Sequence, residues 1–341
     1  MKAMIMAAGV GSRLMPLTVE IPKPMVPMVN QPLMEGIVNL LCKYNFKEII
    51  ANLHHQKQVI SDHFGDGQRF GLNLFYSPED ELLGTAGGVK NCEWFLDDCF
   101  VVMSGDALTD VDLSSLMSQH KRNGALATIA LKEVEQVEHF GVVITDDKGK
   151  IQRFQEKPKP EEALSRMANT GIYIFEPEIF KYIPARQFYD FGKQVFPELV
   201  RLGAPFFGVP IDNYWCDIGD LETYRRAHGD ILQGKLNIDC RTMMHNEARI
   251  VRGEGAEISN GAILEGNVVI GKNCRIEAGA YISDSVIWDN SIVETGARLK
   301  SCIVGKTCEI GNSVLINPGA VIASGCRLPA HTRVALGQKI V

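Results

Sequence analysis

The sequence predicts an α/β protein in two parts: a mostly parallel sheet domain over residues 1–229 and, after a linker at 230–250, a parallel β-helix of hexapeptide repeats over 251–341. Three observations carry that reading. Strand-length apolar runs alternate with amphipathic stretches in the first part, a six-residue period takes over in the second, and 341 residues exceed what one core ordinarily organises.

In the first part the candidate strands are Met4–Ala7, Glu48–Ala51, Leu72–Phe75, Phe100–Met103 and Ala127–Ala130. Between them, Leu33–Tyr44 and Leu113–Arg122 carry apolar residues at helical spacing. Sheets of this kind bind ligands beyond the carboxyl ends of their strands, so residues just after these runs are the first candidates for chemistry.

In the second part aliphatic residues fall at Ile258, Leu264, Ile270, Ile276, Ile282, Ile287, Val293, Leu299, Val304, Ile310, Ile316, Ile322 and Leu328. Every step is six residues except Ile282 to Ile287 and Leu299 to Val304, which are five. Four residues after each aliphatic comes a smaller side chain, among them Val268, Cys274, Ala280, Ser291, Cys308 and Cys326. A helix cannot keep this period on one face, because six residues rotate by about 600° and drift about 120° per repeat. A β-solenoid can, with one short strand and one turn per hexapeptide and with Gly271-Lys272-Asn273 and Gly311-Asn312-Ser313 supplying turn conformations. The pattern resembles the left-handed parallel β-helix of hexapeptide-repeat proteins, and the hand comes from that resemblance alone.

Composition excludes several classes. A formal net charge of −6 and a pI near 5.8 argue against a nucleic-acid surface. No apolar run reaches the roughly 18–20 residues that span a bilayer, and the opening Met1–Met6 run is short for a signal peptide, so a soluble cytoplasmic protein is expected. Nine cysteines without a C-x-x-C pair read as reduced, packed thiols. His54-His55 reads as a loop pair and Glu79-Asp80-Glu81 as a solvated loop, though its proximity to Gly84–Gly88 leaves base recognition open.

Chemistry begins after the first strand, at Ala8-Gly9-Val10-Gly11-Ser12-Arg13-Leu14. Gly9 and Gly11 let backbone N–H groups approach an anion, and Arg13 adds a bidentate cation. A lone Gly-x-Gly fits a structural turn equally well; Leu14 replaces the third glycine of a dinucleotide fingerprint, and no Gly-Lys-Ser/Thr follows. The continuation Ile21-Pro22-Lys23-Pro24 puts a second cation on a proline-stiffened loop. Together with Leu83–Gly88, Ser104-Gly105-Asp106, Phe154-Gln155-Glu156-Lys157-Pro158, Asn169-Thr170-Gly171 and Trp215-Cys216-Asp217-Ile218-Gly219, these motifs resemble the sugar-1-phosphate nucleotidyltransferases, or nucleotide-sugar pyrophosphorylases, over nearly the whole chain.

The resemblance implies a Rossmann-like sheet domain and transfer of a nucleotidyl group from a nucleoside triphosphate to a sugar 1-phosphate, with pyrophosphate leaving. Two anions must then meet, which calls for cations and a metal. Asp106 follows a strand and Asp217 an aromatic run, and two carboxylates suit Mg²⁺. By resemblance the catalytic set is Arg13, Lys23, Asp106, Lys157 and Asp217, and the nucleotide lies against Ala8, Gly9, Gly11, Ser12, Arg13, Gly84, Thr85, Ala86 and Gly87. The sugar phosphate is assigned to Gly105, Gly141, Glu156, Lys157, Asn169 and Thr170. No general base is demanded, since a phosphate monoester is anionic at neutral pH.

Leu83–Gly87 resembles the branch that guanylylates mannose 1-phosphate, so GTP with mannose 1-phosphate is the expected pair, with uridylyl, thymidylyl or adenylyl transfer to glucose 1-phosphate as alternatives. Two other classes stay open. Hexapeptide helices also host acyltransferases, but from 251 to 341 the single histidine is His331. A silent nucleotide-sugar-binding paralogue is expected to lack part of the cation and carboxylate set, which is complete here. The solenoid's coil edges imply a homo-oligomer.

Overall fold

A computed structural model describes residues 1–236, 242–245 and 248–341. The chain packs as two compact units: Met1–Val10 with Met34–Asp217, and Gly11–Leu33 with Ile218–Val341. The expected boundary at 229 is not where this division falls, because the helix Leu221–Leu232 groups with the second unit. Of the linker expected at 230–250, residues 237–241 and 246–247 lie outside the described residues.

The first unit is built on a nine-stranded sheet. At its centre Lys2–Met6 lies parallel to Glu48–Leu53 on one side and Phe100–Ser104 on the other, and Asn73–Pro78 extends the parallel run. These strands are near-continuous apolar runs because both faces are covered. Beyond Phe100–Ser104 comes the long antiparallel strand Met167–Phe175, which also pairs with Ala127–Glu133 and touches Gly141–Thr145. Ile151–Glu156 pairs antiparallel with Gly141–Thr145, and Phe206–Pro210 lies parallel to Ala127–Glu133. The apolar runs had not singled out Gly141–Thr145, Ile151–Glu156, Met167–Phe175 or Phe206–Pro210; Ile151–Glu156, with Gln152 and Arg153 exposed, lacks the fully buried signature.

Six α-helices are described: α1 Leu33–Lys43, α2 Lys57–Phe64, α3 Gly84–Asn91, α4 Leu113–Arg122, α5 Phe196–Arg201 and α6 Leu221–Leu232. α4 begins where Asp112 accepts from Ser115 N at 2.9 Å, an N-cap that satisfies one otherwise orphaned amide. A stack of buried phenylalanines, Phe175, Phe191, Phe196 and Phe206, with neighbouring ring centroids 5.1–5.3 Å apart, fills the core beside the antiparallel strands.

The second unit carries the solenoid. Three parallel sheets run up its sides, with Ile258, Ile276, Val293, Ile310 and Leu328 in register on one, and Leu264, Ile282, Leu299, Ile316 and Val334 on the next. The third side stacks Ile270, Ile287, Val304, Ile322 and Ile340. All the expected aliphatics are buried except Ile258, which is half-buried. The repeat continues past Leu328, through Val334 and Ile340, and His331 is a corner inside it.

At the corners the backbone turns left-handed. One column reads Gly266, Asp284, Ser301, Gly319 and Gly337, another Gly255, Asn273, Asn290, Thr307 and Gly325, all with positive φ. The two five-residue steps fall at Asp284 and Ser301, where the chain turns with one residue fewer and the φ values are +45° and +44°.

Gly11–Leu33 is held onto this unit. The Tyr224 hydroxyl donates to Pro27 O and accepts from Trp288 Nε1 (3.0 Å), Val29 N donates to His228 Nδ1 (3.3 Å), and Asn30 Nδ2 donates to Ile270 O (2.8 Å). No helix among the described residues is long and apolar enough to cross a membrane.

Candidate active site

The first unit has a cleft of about 240 Å³ at the carboxyl edge of its sheet, and eight of the sequence-nominated residues line it: Thr85, Asp106, Gly141, Glu156, Lys157, Asn169, Thr170 and Asp217. Six different stretches of chain supply them. Asp106 sits two residues after the central strand Phe100–Ser104 and is hydrogen-bonded by the Ser104 hydroxyl. Between them Gly105 donates to Met6 O at 2.8 Å, so close that a Cβ there would lie 2.8 Å from that same oxygen. The short strand Trp215–Asp217 pairs antiparallel with Ala107–Thr109, which puts Asp217 opposite Ala107 and so beside Asp106. The two carboxylates, 111 positions apart in the chain, thus come to one edge.

Glu156 ends the strand opposite Gly141. Its carboxylate lies in a cradle of missing side chains: a Cβ on Gly141 would fall 3.0 Å from Glu156 Oε2 and one on Gly192 only 2.3 Å from it. Burial pushes its carboxyl above the ordinary value and the Asp190 carboxylate adds to this, while Lys157 and Lys193 oppose. Lys157 turns with φ +46° and donates its backbone N–H to Phe140 O at 3.1 Å, which directs the chain after Glu156. The raised φ is strained for a lysine, and such strain clusters at functional sites.

Asn169 is fixed at both ends, its Oδ1 accepting from Gly171 N (3.0 Å) and its Nδ2 donating to Tyr173 OH (3.1 Å). Thr170 donates to Ala130 O at 2.7 Å, and its own carbonyl accepts from Trp215 Nε1 at 2.9 Å. That last bond ties the Asn169–Thr170 turn to the strand bearing Asp217.

Asp190 is a cleft residue that the motifs did not reveal. Its Oδ2 accepts from Thr85 Oγ1 (2.9 Å), while its Oδ1 caps the amides of Gly192 (3.0 Å) and Lys193 (3.1 Å). An aspartate directly before Phe191-Gly192 and a helical stretch is a recognisable N-cap signal. Tyr173 and Phe140 also line the cleft.

The remaining nominated residues are placed as follows. Gly84, Ala86 and Gly87 lie on α3, where Ala86 N and Gly87 N both donate to Tyr189 O at 3.0 Å. Cβ atoms on Gly84 and Gly87 would meet Tyr189 O and Gln187 O at 2.6 and 2.7 Å, so these glycines permit close packing of the helix on that loop. Glu79 is buried rather than solvated, accepting from Asn52 Nδ2 (2.7 Å) and Leu83 N (3.0 Å), and so leads into α3 as a structural anchor. Ala8 and Gly9 follow the first strand in this unit.

Gly11, Ser12, Arg13 and Lys23 belong to the second unit. Gly11 has φ +71°, and a Cβ there would lie 2.7 Å from Lys23 Cβ, so the glycine loop and the Pro-Lys-Pro loop pack against each other. Thr18 Oγ1 closes the loop on Gly11 O at 2.9 Å, and Lys23 is buried.

The carboxyl edge of the sheet gathers two aspartates with a Glu-Lys pair, in a chain that continues into a hexapeptide solenoid, which is the arrangement expected of a sugar-1-phosphate nucleotidyltransferase. Comparison with known proteins agrees. Residues 2–234 match the nucleotidyl transferase family, and residues 234–334 match the EIF2B subunit epsilon LbH domain, a left-handed β-helix. The chain belongs to the nucleotidyl transferase family, among the sugar-1-phosphate nucleotidyltransferases. It is 42% identical to a UTP–glucose-1-phosphate uridylyltransferase of Synechocystis sp., over 90% of this chain and 88% of that one. It is 31% identical to a mannose-1-phosphate guanylyltransferase of Mycobacterium tuberculosis, over 87% and 82%. Among solved structures, a protein described as a glucose-1-phosphate thymidylyltransferase from Bacillus anthracis, in complex with sucrose, superposes with TM-score 0.61 at 26% identity, over 70% of this chain and 96% of that one.

Proposed function

We propose that the cleft of the first unit is where a sugar 1-phosphate meets the α-phosphorus of a nucleoside triphosphate. The observation that carries this is the convergence of Asp106 and Asp217 across one strand pair, in the same cleft as Glu156, Lys157 and Asn169. The aspartates fit a hard divalent ion: the pair offers oxygen donors only, at an open edge, as Mg²⁺ requires. Bound there, Mg²⁺ supplies charge neutralisation to the phosphates.

The chain's own groups do the rest. Lys157 attracts the phosphate of the sugar, and Asn169 with Glu156 bonds sugar hydroxyls, Glu156 as acceptor at neutral pH and as donor too once its raised carboxyl is protonated. Arg13 and Lys23 are assigned the triphosphate and the leaving pyrophosphate, with Ala8, Gly9, Gly11 and Ser12 offering backbone and hydroxyl donors. Thr85 and its α3 neighbours Gly84, Ala86 and Gly87 are assigned the base. The nucleophile is already an anion, so catalysis is positioning and charge neutralisation. Residues 1–229 act as the catalytic part and 251–341 as a β-helix that assembles copies of the chain; the strand Ala248–Arg252 already pairs into that β-helix, so the 230–250 linker is shortened at its end.

For the substrate pair, the 42% identity to the uridylyltransferase outweighs the 31% to the guanylyltransferase. UTP with glucose 1-phosphate is therefore the first reading, and GTP with mannose 1-phosphate, favoured by Leu83–Gly87, is the second. Pyrophosphate release across UTP, GTP, dTTP, ATP and CTP against both sugar phosphates, with and without EDTA, decides. A maximum at UTP and glucose 1-phosphate is expected. A maximum elsewhere replaces the substrates, and EDTA-resistant turnover overturns the aspartate assignment.

A further inference from the structure

Far along the central strand from Asp106, a second group of donors converges in the first unit. Cys99 immediately precedes the strand Phe100–Ser104, whose other end leads to Asp106. Glu176 immediately follows Met167–Phe175, and the antiparallel register sets Phe175 opposite Phe100, so Cys99 and Glu176 meet at the same end of neighbouring strands. His120 reaches them from α4. One donor atom from each residue, the Cys99 sulfur, a His120 ring nitrogen and a Glu176 carboxylate oxygen, lies within 4.8 Å of the other two.

The histidine is prepared for ligation. His120 is fully buried, with Nε2 3.2 Å from Glu176 Oε1 and Nδ1 2.8 Å from the buried Thr128 Oγ1. A bound cation would select the tautomer in which Nδ1–H donates to the threonine hydroxyl and the Nε2 lone pair faces the ion, the arrangement by which an outer partner fixes the ring of a metal-binding histidine. Cys99 and Glu176 are both partly open to solvent, which gives an ion a way in, and the Met117 thioether packs 3.7 Å from the thiol sulfur.

The electrostatics leave a place for a cation. Burial holds His120 below the ordinary histidine range against the pull of Glu176, so the imidazole is neutral. Burial, aided by Glu176, pushes the Cys99 thiol up to about 12. Glu176 therefore faces two neutral groups, and the cation that acts on the group is the neighbouring Lys121. A dication reverses this balance by favouring thiolate and carboxylate together.

We propose that Cys99, His120 and Glu176 form a binding site for a borderline divalent ion of the Zn²⁺ type, with water as fourth ligand. Tetrahedral Zn²⁺ holds such ligands roughly 3.5 Å apart, so small side-chain adjustments close the observed spread. On binding, the sulfur–metal bond forms as the thiol proton passes to solvent, and affinity rises with pH. Sulfur and imidazole separate this site from the oxygen-only aspartate pair, which suits Mg²⁺. The ion would tie the start of the central strand to α4 and to the end of its antiparallel neighbour.

The test is titration of the full chain, stripped of metal, with Co²⁺. One equivalent giving a thiolate-to-cobalt charge-transfer band that Zn²⁺ displaces is expected, lost in Cys99→Ser and with affinity at least about tenfold weaker in Glu176→Gln, pyrophosphate release being unchanged in both. The aspartate site has no sulfur and cannot give the band. Absence of the band, or its persistence at full strength in Cys99→Ser, overturns the proposal. Should Cys99→Ser fail to fold, unchanged Co²⁺ affinity in Glu176→Gln, a half-exposed position, overturns it equally.

Discussion

The two units reach order by opposite routes. In the solenoid each side chain meets its counterpart one coil away, 17 or 18 residues along, as Ile276, Val293 and Ile310 do. In the sheet unit the decisive contacts join distant stretches: Asp217 to the neighbourhood of Asp106, Asp190 to Thr85, Glu79 to Asn52. A repeat builds a column from local rules, whereas a site is assembled from residues that nothing local relates. Substitutions in the two units should therefore fail differently.

The largest effect is expected at the carboxylate pair. Asp106→Asn or Asp217→Asn should lower turnover by at least about 10³-fold, or roughly 4 kcal/mol, with an unchanged circular dichroism spectrum. Near-normal pyrophosphate release in both variants would break the contrast between site and scaffold. Next comes Ile310→Ala, which removes a fully buried side chain from a middle coil. A loss of about 2–5 kcal/mol in urea unfolding is expected, with KM values unchanged at temperatures where the protein stays folded.

A third effect is pH-dependent and belongs to the second unit. Burial depresses His228 from 6.5 to about 3. Between those values the unfolded chain binds a proton that the folded one refuses, so stability is complete above pH 6.5 and falls as pH drops through the window. At pH 5 the loss is roughly 2 kcal/mol, and His228→Gln should flatten the slope of denaturation midpoint against pH. A fourth returns to the cleft: Gly192→Ala places a methyl 2.3 Å from Glu156 Oε2. The KM for sugar phosphate should rise about tenfold, roughly 1.4 kcal/mol, with the nucleotide KM unaltered in initial-rate assays.

The smallest concerns the small inner positions of the coils. Cys274, Ser291 and Cys308 stack there, and each donates to a carbonyl ahead of it: Trp288 O at 3.1 Å, Gly305 O at 2.8 Å and Ala323 O at 3.1 Å. Cys308→Ser keeps a donor at that place, so thermal unfolding should reveal a change within about 1 kcal/mol. A larger loss would mean that sulfur volume, and not the donated bond, holds the column.

The same contrast explains what the sequence disclosed. Hexapeptide spacing revealed the buried positions one by one, because a period is a local signal, and the two five-residue steps were visible before their corners at Asp284 and Ser301 were. The four central parallel strands, Lys2–Met6, Glu48–Leu53, Asn73–Pro78 and Phe100–Ser104, were legible as apolar runs. Ile151–Glu156 was not, since its half-exposed face breaks the pattern. At the site, the motifs nominated Asp106, Glu156, Lys157, Asn169 and Asp217, which share the cleft. They missed Asp190, whose role depends on a partner 105 residues away, and mistook Glu79 for a solvated residue because its anchor, Asn52, lies on another strand. Spacing likewise could not show that Gly11 packs on Lys23 in the unit that holds the solenoid.

The coil stack carries one more consequence. Each coil is held by the one below and the one above, so a coil at an end has half the support of one in the middle. Amide hydrogens of coils paired on both sides, such as those of Val293 and Ile310, should then exchange slowest with solvent deuterium. The solenoid would be a molecular ruler whose position markings can be read as time.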